Sequence, residues 1–189
     1  MVDKELAEKA VRDMLIAIGE DPEREGLLDT PDRVARMYEE VFAGVGVSND
    51  EIAERFGKCF TCDSDEIVTV RNIECFSYCE HHLALMYDMR ISVAYKPKGK
   101  VIGLSKVARI ADLVCKRPQI QERITSDIYE VMCKALGTED VAVFVTGKHS
   151  CMTARGIKNG TSDTKTHKLG GIFMTEPSLR VEVMGMLSD

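Results

Sequence analysis

A basic surface is the first thing this sequence lacks. Its 25 lysines and arginines stand against 31 aspartates and glutamates, a formal net charge of −6. Nonspecific nucleic-acid binding needs a cationic surface, so no nucleic-acid partner is expected. Long apolar runs are missing as well. None approaches the ~20 residues that cross a bilayer, and Met1-Val2-Asp3-Lys4-Glu5 does not begin a signal peptide. The expectation is a cytoplasmic protein with no membrane partner. The cysteines number 7, an odd count that fits reduced thiols better than a disulfide framework. Internal repeats, low-complexity segments and a glycine-rich phosphate loop are also absent. What is present, 44% hydrophobic and 30% charged residues over 189 positions, describes a folded chain with a real core.

Within that ordinary composition, Cys79-Glu80-His81-His82 and His149-Ser150-Cys151 stand out. The C-x-x-H step offers a thiolate and an imidazole, and Cys151 offers a third ligand. Three protein ligands leave one position of a tetrahedral zinc open, the pattern of a catalytic site. His81 and His149 would be spare beside such a metal, as titratable neighbours suited to moving protons. A different grouping competes. Cys59-Phe60-Thr61-Cys62 is a C-x-x-C, and with Cys75 and Cys79 it could build an all-cysteine structural zinc. Spacing leaves both open.

Along the chain, Asp3 can cap a helix whose apolar residues Leu6, Ala10, Val11, Met14, Leu15 and Ile18 share a face, ending at Gly19. Thr30-Pro31 starts a second helix with threonine at the cap and a buried stripe of Val34, Met37, Tyr38, Val41 and Phe42. Ser48 to Glu51 matches a capping box for a third, stopping near Gly57. The pattern then turns to strands at 67–76 and 89–95, the latter half-buried by its alternation. Helices follow at 105–116, with Ser105 as cap, and at 119–136. Strands are expected at 141–148, 151–157 and 172–174, a loop at 159–171, and a last helix after Pro177. The fold class is α+β with mostly antiparallel strands. An extended 148–152 would place His149 and Cys151 on one face.

These residues fall into motifs that resemble the GTP cyclohydrolase I family along most of the chain. They are Arg24-Glu25-Gly26-Leu27-Leu28-Asp29-Thr30-Pro31-Asp32-Arg33-Val34-Ala35, Cys79-Glu80-His81-His82, Val101-Ile102-Gly103-Leu104-Ser105-Lys106 and Arg117-Pro118-Gln119-Ile120-Gln121-Glu122-Arg123. His149-Ser150-Cys151-Met152-Thr153-Ala154-Arg155-Gly156 and Leu169-Gly170-Gly171 complete the set. The resemblance implies the tunnelling fold, in which strands of five subunits close a barrel and two pentamers stack into a decamer, with active sites between subunits. It implies one domain over residues 1–189, with 1–58 as an N-terminal helical segment and 59–189 as the catalytic core. It also implies conversion of GTP and water to 7,8-dihydroneopterin triphosphate and formate, the first step of tetrahydrofolate and pterin biosynthesis.

By the same resemblance, zinc falls to Cys79, His82 and Cys151, and His81 and His149 become acid–base residues. Arg33, Arg36, Lys106, Arg109 and Arg155 match positions associated with the triphosphate, with arginine at 36 where the family usually has lysine. Glu122 resembles the acceptor of the guanine N1 and N2 protons, with Gln121 beside it, and Ser105 approaches the ribose. The chemistry asks for such residues. Two thiolates cancel the charge of zinc, so this metal should acidify water less than a three-histidine zinc does, and protein acid–base groups matter more.

Overall fold

A computed structural model describes residues 2–187. The chain divides into two compact units between Gly46 and Val47.

The first unit is a pair of helices, α1 (Lys4–Ala17) and α2 (Thr30–Val41). The Asp3 side chain accepts the Leu6 N–H and caps α1 as expected. Gly19, at φ +87°, turns the chain after it. In α2 the cap is Asp29 and not Thr30, which is already the first helical residue, so Pro31 still falls in the first turn. The buried positions are Ala35 and Val41, while Met37 of the expected stripe is exposed. Residues two apart lie on nearly opposite sides of a helix, so burial of Ala35 leaves Met37 facing out.

The second unit is organised by a five-stranded sheet in the order β5-β2-β3-β6-β7. Its strands are β2 (Val68–Cys79), β3 (Ala84–Tyr95), β5 (Pro118–Gln119), β6 (Val141–His149) and β7 (Thr164–Leu169). All neighbours are antiparallel except β2 and β5. A two-stranded antiparallel ribbon, β1 (Cys59–Thr61) with β4 (Lys100–Ile102), lies apart from it. Helices α3 (Asn49–Phe56), α4 (Leu104–Cys115) and α5 (Gln121–Leu136) supply one core with the sheet, including Ile91, Val93, Val143, Val145, Ile110, Ile124 and Ile128. Ser48 and Glu51 form the expected capping box at α3, which ends at Gly57.

The expected half-buried β3 is buried on both faces. Alternate residues Ala94 and Ala142 join Phe173, Val183 and Leu187 in a second cluster, where α7 (Ile172–Thr175) and α8 (Pro177–Leu187) cover the sheet. Small residues on that face of the strands let the covering elements sit close. Asp88 adopts φ +50° where the β2–β3 and β3–β6 registers shift. This bulge lets both Met86 and Met89 point into the core.

Several expected boundaries move. Pro118–Gln119 pairs in parallel with Tyr78–Cys79, so α5 begins at Gln121 and not at 119. Gly103 is the N-cap of α4, and Ser105 is exposed inside the first turn with no capping bond. Residues 151–157 are not a strand: β6 ends at His149 and the chain coils into α6 (Ser150–Thr153). The Ser150 hydroxyl donates to the Leu85 carbonyl at 2.6 Å, which pulls the backbone out of the ladder there. The loop expected at 159–171 holds β7. Its Thr-Lys-Thr-His-Lys pattern carries no apolar alternation, and only pairing with β6 makes it a strand. Residues 172–174 are helical because Asp140 accepts the Ile172 N–H at 2.9 Å and Gly171, at φ +51°, turns the chain into α7. A Cβ at Gly171 would lie 2.0 Å from Asp140 Oδ1, so only glycine fits.

Candidate functional site: a cysteine–histidine centre

The first part of the site grows out of the end of β2. Cys79 closes the strand, paired with Ala84 of β3, and the turn between them carries Glu80, His81, His82 and Leu83. Leu83 N–H donates to the Cys79 carbonyl at 2.8 Å, and Leu83 adopts φ +48° to close the turn. Cys79 is buried while both histidines are exposed. The turn is pinned from outside as well. Glu80 N–H donates to the Gln119 carbonyl at 3.3 Å, and Arg123 of α5 donates to Glu80 Oε2 at 2.6 Å. That ion pair ties the turn to the first turn of α5, where Glu122 stands. Neither Glu80 nor Arg123 was singled out from the sequence, because nothing in their spacing says they meet.

The second part is the β6–α6 junction. His149 is the last residue of β6, opposite Met86, and Cys151 is in the first turn of α6. They therefore do not share a strand face as an extended 148–152 would require; a helical turn separates them. The fold nevertheless brings Cys151 to the β2 turn. Ligand atoms of Cys79, His82 and Cys151 lie within 4.8 Å of one another. Among the described residues, Cys59, Cys62 and Cys75 do not join that group. The Cys59 thiol donates instead to the Ala135 carbonyl at 3.4 Å, and the all-cysteine grouping is not assembled among the described residues.

Two sulfurs this close interact. Burial pushes the Cys151 thiol up first, and the neighbouring Cys79 sulfur adds to the shift. Two thiolates side by side repel, and a dication is what makes both tolerable. Around the group, His81 Nδ1 lies 3.8 Å from Cys79 Sγ, and the His81 and His82 rings stand edge to face at 6.4 Å. Arg155 donates to His82 Nε2 at 2.6 Å. A metal on His82 Nε2 would displace that guanidinium; one on Nδ1 would leave it.

His149 is half-buried, and its Nε2 lies 2.9 Å from Gln121 Oε1. Burial lowers its pKa below the usual histidine value, and the negative charge of Glu122 opposes that only partly. Gln121 is buried and Glu122 exposed at the N-terminal turn of α5. Ser105, Lys106 and Arg109 lie on the first turns of α4, where Lys106 and Arg109 are one turn apart. Their side chains carry no hydrogen bond or ion pair among the described residues. Arg33 and Arg36 belong to the N-terminal unit and pair with Asp29 and Asp32 at 2.9 and 2.8 Å. No described helix is long and apolar enough to cross a membrane.

A family model described as GTP cyclohydrolase I matches residues 7–188. The chain is 53% identical to GTP cyclohydrolase 1 of Clostridium botulinum (strain Loch Maree / Type A3), covering 97% of this chain and 96% of that one. It is 55% identical to GTP cyclohydrolase 1 of Ruminiclostridium cellulolyticum, over 97% of each. To GTP cyclohydrolase 1 of Clostridium acetobutylicum it is 52% identical, over 98% and 97%. With that likeness spanning both parts of the cysteine–histidine centre, the chain is an enzyme of the GTP cyclohydrolase I family.

Proposed function

We propose that the chain hydrolyses and rearranges GTP to 7,8-dihydroneopterin triphosphate and formate, the entry step of tetrahydrofolate and pterin biosynthesis, with zinc at Cys79, His82 and Cys151. The observation that carries this reading is the convergence of those three ligand atoms within 4.8 Å in a chain of this family. The donor set fits zinc: two thiol sulfurs and an imidazole are its preferred ligands, and three of them leave a coordination position open. When bound, zinc supplies Lewis acidity at that position.

The chain's own residues do the rest. Glu122, an exposed carboxylate on α5, accepts the guanine N1 and N2 protons. A carboxylate has two oxygens with which to accept both. His149, whose pKa burial depresses, is neutral near pH 7 and can take a proton from water or return one to the purine. His81, exposed beside Cys79, is the second acid–base group. Lys106 and Arg109 hold triphosphate oxygens from α4, joined by Arg155, and Arg33 and Arg36 are assigned to the same ligand by the family resemblance alone; arginine and lysine bind such oxygens by charge-assisted hydrogen bonds. Ser105, on the same turn as Lys106, meets the ribose.

The site is completed by neighbouring copies in a ring of five, two rings stacking into a decamer. Support comes from surfaces that one chain leaves open. Leu6 and Met14 of α1 and Ile18 at its C-cap are 63%, 64% and 70% exposed, and β7 pairs with β6 alone among the described strands. Pure protein incubated with GTP should release formate and, after oxidation, a fluorescent pterin. Absence of both from zinc-loaded protein overturns the activity, and a monomer in sedimentation overturns the ring.

A further inference from the structure

Gln121 opens α5 and is 1% exposed, so its amide must be satisfied within the protein. The amide nitrogen faces three acceptors: the Val145 carbonyl at 3.1 Å, the Thr164 carbonyl at 3.0 Å and Thr166 Oγ1 at 3.3 Å. Two of these are backbone carbonyls, which only accept. The amide therefore sits one way round. Its nitrogen points at the β6 and β7 backbones, and its oxygen is turned to His149 Nε2 at 2.9 Å. An amide oxygen also only accepts, so Nε2 carries the proton and the neutral ring keeps Nδ1 bare.

We propose that Gln121 is a positioning residue, whose buried amide holds the His149 ring by its Nε2–H and so fixes the tautomer and the orientation of that ring. The catalytic weight of this lock rests on the acid–base role of His149 proposed above. The surroundings are built for it. A Cβ at Gly147 would lie 3.3 Å from Gln121 Oε1 and 2.9 Å from Met89 Cγ, so β6 has no side chain where the amide passes. Thr125 Oγ1 donates to the Gln121 backbone carbonyl at 2.9 Å and meets Thr166 Oγ1 at 2.6 Å, which fixes both the glutamine backbone and one of its acceptors. Turning the amide over would set its oxygen against two carbonyls that can only accept. Both N–H groups are engaged by the chain, and they are the donors that a substrate contact through the amide would use. Glu122, one residue on, points to solvent and is free to meet the base.

The test is a long-range proton–nitrogen correlation spectrum of zinc-loaded protein labelled with 15N-histidine, the His149 signals being those lost in His149→Ala. The expected result is the Nε2–H pattern in the wild-type protein. Gln121→Met keeps the bulk of the side chain without the amide. It should give mixed tautomers and lower kcat by roughly 10–100-fold, the usual effect of losing a bond that orients an imidazole, with KM for GTP unchanged. An Nδ1–H pattern in the wild type overturns the proposal, as does an unaltered tautomer in Gln121→Met. A raised KM at unchanged kcat overturns it too, by making Gln121 a substrate contact. Should Gln121→Met fail to fold, the wild-type spectrum alone decides. The Nε2–H pattern in a protein that does not turn over GTP upholds the lock and sinks the activity reading instead.

Discussion

Cys79 and Gln121 are 5% and 1% exposed, whereas Arg109 and Arg155 stand in solvent. The proposed site thus sets a centre with buried anchors beside an exposed cationic set, and the two are held by different forces. The centre is preorganised. Strand pairing brings the β2 turn to the β6–α6 junction, and hydrogen bonds to buried carbonyls fix the groups between them. The exposed arginines keep rotamer freedom or pair loosely with nearby carboxylates, and such pairs contribute about 0–1 kcal/mol. On the function proposed above, their geometry is set when an anion arrives: position is built into the fold at the cysteine–histidine centre and left adjustable where a flexible triphosphate would be gripped.

The largest effect should come from breaking the cysteine–histidine centre. Cys79→Ser or Cys151→Ser should leave the protein without its zinc and turnover below detection, while Cys59→Ser and Cys62→Ser keep full zinc. Metal analysis of the four proteins checks this, and zinc retained in the first two would move the metal elsewhere. Next comes His149→Ala, which should keep zinc and the fold but lose roughly 10²–10⁴ in kcat, the typical contribution of a placed acid–base group. Loss of zinc in that variant would make His149 a ligand. Glu122→Ala should raise KM for GTP by about 10–100-fold, the equivalent of ~1.5–3 kcal/mol for hydrogen bonds to a charged group, with zinc intact.

On the exposed side the effects should shrink. Arg109→Ala should raise KM by about tenfold or less, and the difference should fade as salt rises, since solvent-facing charges are screened. A salt-independent loss would place Arg109 in a buried contact and erase the contrast. The smallest expected effect concerns Asp140, which joins a buried carboxylate to an exposed lysine: its side chain is 5% accessible and that of Lys98 is 60%. Burial alone would raise its pKa, but Lys98, the Ile172 N–H and Thr138 outweigh that and hold it below the usual carboxylate value. A depressed carboxyl contributes stability above its unfolded pKa of about 4, lost as pH falls through the lower folded value. Asp140→Asn should therefore cost about 1 kcal/mol near pH 7 and nothing in strong acid, read from paired denaturant melts.

Much of the local structure was legible. Asp3, Ser48 with Glu51, Pro31 and Gly57 act on their immediate neighbours, and the ends they mark lie within a residue or two of expectation. The errors cluster where long-range pairing overrode local pattern. Residues 164–169 look like loop because a strand whose outward residues are threonine, lysine and histidine has no apolar alternation to show. Cys151-Met152-Thr153 looks extended by composition, yet the Ser150 bond to Leu85 turns it into a helix. In the site, the C-x-x-H step and the distant Cys151 were visible as residue types suited to one metal. The Gln121–His149, Arg123–Glu80 and Arg155–His82 bonds were not, since their partners lie 28, 43 and 73 positions apart.

By itself the sequence determined the inventory: which donors, acids, bases and cations exist, where most helices begin, and which family they spell. These are properties of residue type and near-neighbour spacing, which a linear chain carries in full. The tertiary structure decided which members of the inventory meet. It excluded Cys59 and Cys62 from the donor group, gathered Cys79, His82 and Cys151 within 4.8 Å, and turned Gln121 inward while Glu122 faces out. Successive residues at a helix start point in different directions, and burial of the whole sheet chooses which one reaches the strand beneath.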